Sequence, residues 1–460
     1  MASFSVLPLY CPRRLLQKID IRVIPTCMTI YTLSFLDRSN IGNAKILNAN
    51  VGDSLQQTTH ITDAEYLNAL VIFFVAYAVF ELPSNYCLKR LSPSRWFAFL
   101  MFGWGTITMI QSAVHDYPAL AGVRFLLGVF EAGLFPGIIY FLTFWYRPTE
   151  RAVRIALIVA CAALGGAFGG SIAYGVGFMN EIRGIQGWRW LCIIEGGLTC
   201  VLAVCVVFIL PDYPETVRWL SNEEREMAVN RIKGDAPLGL AKISWVETRN
   251  TLFDWRLYLH YLVFLCVSPP FSSFSLFTPT IVSGLGFKDL AAQLFTVPPF
   301  ATAFVFVVAV SYLAGRYERW SVAALICLTL SGINFIIEGA LPPHFFTARY
   351  VFLCCSTCFT FACNPLLLSY LTSNIRGTSA MTLGVPMNIT LATAGQIIGE
   401  CPPLPPWLFI YKFSEAPGYP TGHFTNAGFM LLAAIIVAWL RLIYSRRNHS
   451  LKPGEKRWRV

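Results

Sequence analysis

The run Ser34-Phe35-Leu36-Asp37-Arg38-Ser39-Asn40-Ile41-Gly42-Asn43-Ala44-Lys45 sets an acid and a base side by side inside the first long apolar segment. An ionised side chain near the bilayer centre costs about 2.5–3.5 kcal/mol on insertion scales, so lipid-embedded helices rarely carry one. Asp37 stands 16 residues after Ile21, where the apolar segment begins. At about 1.5 Å per residue it is roughly 24 Å along the helix, still at membrane depth. A charged pair there must face protein or water, and it points to passage of an ion or substrate.

Outward from that stretch, the whole chain reads as membrane protein. Only 13% of its 460 residues are charged and 55% are hydrophobic, with mean hydropathy +0.57, against about 25% charged for a soluble domain. Apolar runs of membrane-crossing length begin near Ile21, Tyr66, Trp96, Leu120, Ile155, Trp190, Leu257, Ala291, Val322, Tyr350, Met381 and Phe424. The predicted fold is all-α, with twelve transmembrane helices in two six-helix bundles. The divisions are an amino-terminal tail (1–20), a first bundle (21–210), a linker (211–255), a second bundle (256–445) and a basic tail (446–460). Within the linker, Ser221 and Glu224 have capping-box spacing ahead of a charged helix.

Charge asymmetry orients the bundle. Short cytoplasmic loops keep Lys and Arg, and Lys89, Arg90, Arg95, Arg147, Arg151, Arg154, Arg316, Arg319 and Arg376 all fall on the side of both termini. That side is therefore predicted to be cytosolic. The net charge of +10 then reflects topology, and nucleic-acid binding is the poorer explanation. Nearly all of the fourteen cysteines lie in apolar runs and read as small packing residues. The six histidines show no metal spacing, and there is no phosphate-binding loop or catalytic cluster. No cofactor, metal or enzymatic activity is expected.

Arg124 and Glu131 stand seven residues apart, which returns them to nearly one helical face. With Asp37 and Arg38 they place two acids and two bases in one half. An arginine binds a carboxylate bidentately, and burial favours the neutral form of a carboxyl, so the set suits a proton-coupled anion carrier. The competing reading is a structural salt bridge between helices. Glu81, Asn85, Lys89, Arg90 and Arg95 close the second span and read as an inner gate, whereas Glu195 suits a structural or a functional role equally. Gly165-Gly166-Ala167-Phe168-Gly169-Gly170 has paired small-xxx-small spacing for close helix approach. In the second half, Asn364 and Pro365 interrupt the tenth span, while Asn388 and Gln396 polarise the eleventh, where transporters often bind substrate.

These motifs resemble those of the major facilitator superfamily, and more narrowly the fungal allantoate, nicotinate and pantothenate permease branch of the anion:cation symporters. The likeness rests on residues 34–44, on Phe80-Glu81-Leu82-Pro83-Ser84-Asn85, on Arg124 through Gly137, and on Gly187-Trp188-Arg189-Trp190. It continues through Leu210 to Thr216, Tyr312 to Arg316 and Thr421-Gly422-His423. The resemblance implies proton-coupled uptake of a small organic anion by alternating access. Asp37 and Glu131 would be the protonation sites, and Arg38 and Arg124 would hold or neutralise anions. It also implies a monomer in the plasma membrane, with Arg316 in the inner gate. Two departures bear on that gate: Ala314 replaces the usual Asp, and Thr378, Ser379 and Ala380 replace a basic pair. Absence of proline from residues 165–170 favours import over export. Export of a secondary metabolite is the alternative, and a membrane receptor is the remote one.

Overall fold

The computed structural model describes residues 13–233, 249, 251–285, 289–342, 344–375, 378–400, 415, 418–450 and 458–459. These residues are helical almost throughout. Span 1 is Arg13–Ile46, span 2 Asp63–Arg90, span 3 Pro93–Gln111, span 5 Pro148–Gly177 and span 6 Gly187–Ile209. Span 4 is two helices in line, Tyr117–Glu131 and Leu134–Leu142. After the linker come span 7 (Trp255–Gly284), span 8 (Asp289–Leu294 then Val297–Tyr317) and span 9 (Trp320–Ala340). Span 10 is Phe346–Asn374, span 11 Thr378–Glu400 and span 12 Pro420–His449. Ten of the twelve are long and apolar enough to cross a membrane by length and composition. Spans 3 and 11 complete the bundle by packing: Gly105 sits against Gly196 of span 6, and Gly395 against Leu265 of span 7.

Several helices begin before the apolar run does. The described part of span 1 is helical from Arg13, ahead of the apolar run, and its first turns are tied down from outside the apolar core: Asp20 receives Arg154, and Lys18 pairs with Glu224 of the linker. The linker helix Asn222–Lys233 is capped as its spacing predicts, the Ser221 and Glu224 backbone amides each donating to the other's side chain at 3.1 Å. It docks on the first half, where Arg231 donates to the Trp145 carbonyl at 2.8 Å and Trp219 stacks on Trp145. The Lys18 ammonium, then the Ser221 amide, hold the Glu224 carboxyl below the ordinary carboxylate range.

Two interruptions differ from expectation. Span 10 does not break at Asn364-Pro365; its helix runs from Phe346 to Asn374 with Pro365 inside, because a membrane bundle re-satisfies the carbonyl that proline frees. The real interruption is in span 4, directly after Glu131, where Gly133 begins the second helix. A Cβ at Gly133 would stand 1.7 Å from Ser84 Oγ and 2.5 Å from Ser84 Cβ of span 2, so glycine leaves room there for the Ser84 side chain.

The halves meet closely at the end remote from Arg13 and His449, here the distal end. A Cβ on Gly42 of span 1 would lie 2.4 Å from the Leu276 carbonyl oxygen of span 7, and Gln293 Nε2 donates to the Asn43 carbonyl at 3.1 Å. Span 5 packs two ways through its glycine run. Gly165 and Gly169 face Phe35, Ser39 and Asn43 of span 1, while Gly166 and Gly170 face Phe300 and Thr296 of span 8.

Candidate functional site

Asp37 and Arg38 are consecutive on a helix, so their side chains diverge by about 100°, and they enter different environments. Arg38 Nη2 donates to Glu131 Oε2 at 2.9 Å, and Ser34 Oγ donates to the same oxygen at 3.4 Å. The guanidinium carbon is 5.1–5.9 Å from the ring centres of Phe35, Phe73, Phe74 and Tyr77. Ring faces attract a cation at this range, so the cage holds Arg38 in place independently of its carboxylate.

Asp37 points instead toward spans 3 and 6. Its Oδ2 accepts from Trp104 Nε1 at 3.0 Å and Thr199 Oγ1 at 2.9 Å. Behind it, Asn40 Nδ2 donates to Glu195 Oε2 at 2.7 Å. Arg124 and Glu131 both lie on the buried face of span 4. Arg124 is within electrostatic reach of Asp37 and Glu131, and its Nε and Nη2 have no hydrogen-bond partner among the described residues.

A central cavity of about 90 Å³ lies between the halves. The first half lines it with Tyr31, Ser34, Arg38 and Tyr77, and the second with Ser268, Asn364, Asn388 and Gln396. Four candidate substrate-binding residues thus share one cavity. Arg124 is not among its lining residues, and Glu131 reaches it through Arg38 and Ser34. Asn388 is fully buried, and among the described residues neither of its amide atoms has a hydrogen-bond partner, nor does Asn364 Nδ2. Apolar wall comes from Phe35, Phe135, Phe264 and Phe271.

The candidate gate residues are dispersed. Glu81 is fully buried and joins the halves, its Oε2 accepting from Thr390 Oγ1 of span 11 at 3.3 Å. Asn85 bonds back to the Glu81 carbonyl in its own helix. Arg90 is exposed and pairs with Tyr86 one turn earlier, while Arg95 and Arg316 are exposed. The side chain of Lys89, Arg376, and the side chains of Thr378, Ser379 and Ala380 lie outside the described residues. Around Ala314 the turn is closed by backbone, the Arg319 amide donating to the Ala314 carbonyl at 3.0 Å.

Sequence reasoning missed Asn40, Trp104 and Thr199, which are neutral and of ordinary type for a membrane helix. It also passed over a buried cluster in the second half, where His423 Nδ1 is 2.9 Å from Glu338 Oε2 and Ser356 Oγ donates to Glu338 Oε1 at 2.6 Å. Glu338, a lone acid in an apolar run, was the available signal.

Comparison with known proteins agrees with this architecture. The family model described as Major Facilitator Superfamily matches residues 27–399. The transporter prlL of a fungal species (strain NRRL 50135) is 50% identical over 95% of this chain and 87% of its own length. A provisionally named tartrate transporter of Agrobacterium vitis is 33% identical over 70% of this chain and 73% of its own. Among solved structures, a bacterial homologue of the human lysosomal transporter Spinster, inward-facing and unoccupied, superposes with a TM-score of 0.65. It is 16% identical and covers 96% of this chain and 100% of its own, a likeness of fold.

Proposed function

The chain belongs to the Major Facilitator Superfamily, and from that premise we propose that it is a proton-coupled carrier taking up a small organic anion. The observation that supports this is the Arg38–Glu131 pair at the wall of a cavity between the halves. While Glu131 is ionised it occupies the guanidinium. A proton on Glu131 releases Arg38, whose planar fork can then take a substrate carboxylate bidentately. Binding of anion and proton are thereby linked, and neither needs to cross alone. The unpartnered amides of Asn364 and Asn388, with Gln396, meet the rest of the molecule. Asp37 is the second proton site, and Arg124 compensates its charge from behind. Glu81 and Thr390 clasp the halves on the other side, with Asn85, Lys89, Arg90, Arg95 and Arg316 at the proximal rim.

In this reading the halves at 21–210 and 256–445 rock about the cavity as a monomer in the plasma membrane, both termini cytosolic. The cargo belongs with those of the fungal allantoate, nicotinate and pantothenate branch, and the tartrate relative supports an organic acid. Labelled allantoate, nicotinate, pantothenate and tartrate supplied to vesicles under an inward proton gradient test it. Accumulation of one of them is expected. Gradient-driven loss of preloaded compound would reverse the direction, and indifference of every acid to the gradient would overturn the reading.

A further inference from the structure

The buried polar network of the first half has unequal charge. Around Asp37 its carboxyls are Asp37, Glu131 and Glu195, exposed by 1%, 0% and 0%, and its guanidiniums are Arg38 and Arg124; Glu81, also fully buried in this half, is hydrogen-bonded to Thr390 of the other half and is counted apart. Three acids against two permanent cations leave one negative charge unbalanced, and an uncompensated buried charge is strongly unfavourable. The network therefore holds one positive charge more than its arginines supply.

The geometry says where. Glu131 has Arg38 directly. Asp37 has two neutral donors and Arg124 within reach. Glu195 has a single neutral donor, Asn40, and its Oε1 has no hydrogen-bond partner among the described residues, as is true of Asp37 Oδ1. Among the described residues the surroundings of Glu195 add no cation. Span 6 itself carries Cys192 beside it and Arg189 at its distal end, where Arg189 is engaged with the Ser112 carbonyl and His115. Span 1 presents Asp37. Span 3 has no ionisable residue after Arg95, and span 5 none after Arg154 except Cys161 and Tyr174, the latter packed on Phe178.

We propose that Glu195 is a third proton-carrying carboxyl, sharing with Asp37 the one proton that the two arginines leave unbalanced. This rests on the proton-coupled reading above, and makes Glu195 a positioning residue that sets how readily Asp37 takes and gives its proton. Replacing Glu195 by Gln removes the surplus charge, so Asp37 ionises more easily and must be protonated by stronger acid.

The test is the pH profile of transport by the full chain in vesicles, parent against Glu195→Gln and Glu195→Asp. The half-maximal pH should move toward acid by about one pH unit in Glu195→Gln, the order of shift one neighbouring charge produces, and stay near the parent in Glu195→Asp. An unmoved profile in Glu195→Gln would overturn the proposal. Should the parent itself show no pH dependence, the proton-coupled reading fails separately, and infrared absorption of protonated carboxyls in the purified protein decides. Glu195→Gln should reduce that band at neutral pH; an undiminished band would overturn the shared proton.

Discussion

The two halves share an architecture and differ in the polarity they bury. The first encloses Asp37, Arg38, Arg124, Glu131 and Glu195 in a connected network. The second faces the cavity with Ser268, Asn364, Asn388 and Gln396, all neutral, and keeps its Glu338–His423 pair in a separate cluster with Phe335. Under the proposed function the difference teaches a division of labour: buried groups able to change charge gather on one side of the cavity, and the second half lines the other with groups able only to hydrogen-bond. Energy coupling and recognition can then be altered apart.

The sharpest way to break that comparison is to neutralise the first half. Asp37→Asn and Glu131→Gln are expected to abolish accumulation driven by a pH gradient while leaving exchange of substrate across the membrane; undiminished accumulation would remove the first half's special role. Next in size is Gly42→Ala. Its Cβ would press within 2.4 Å of the Leu276 carbonyl, so distal closure should fail and turnover fall at least tenfold in single-turnover and steady-state flux. Normal turnover would show that the halves do not separate there. Arg38→Lys should raise the half-saturation concentration about tenfold through loss of the bidentate fork, whereas Arg124→Lys, away from the cavity wall, should change coupling more than half-saturation. Equal effects on half-saturation would mean that both arginines meet substrate. The mildest is Asn388→Ala, worth about 1 kcal/mol if one neutral hydrogen bond to substrate is lost. That is a several-fold rise in half-saturation with the pH profile unchanged, and a moved profile would put coupling in the second half as well.

Much of this was legible in the sequence because lipid is an unforgiving solvent. Apolar runs had to be helices, and Asp37, Arg38, Arg124 and Glu131 stood out as charges where charge is costly. Their pairing was not legible: only the divergence of neighbouring side chains sends Arg38 to Glu131 and Asp37 to Trp104 and Thr199. Asn40 was hidden because an amide in a helix carries no signal until a buried acid is found opposite it. Helix continuity misled in both directions. Pro365 looked like a breaker and is accommodated, while span 4, read as one apolar run from Leu120, divides after Glu131. The gate arginines were read from loop position, which fixes sidedness but not contact, and Arg90, Arg95 and Arg316 are on the surface.

The glycine run of span 5 carries one more implication. Gly165 and Gly169 pack within the first half, and Gly166 and Gly170 pack against the second. A bulky replacement on the first pair strains a contact that lasts throughout the protein's life and would be seen as less protein in the membrane. One position along, the same replacement strains a contact between the halves, which the proposed rocking would break and remake at every crossing, and would be seen as normal abundance with a slow carrier. Adjacent codons thus report on different quantities, one on how much protein survives and the other on how fast it works.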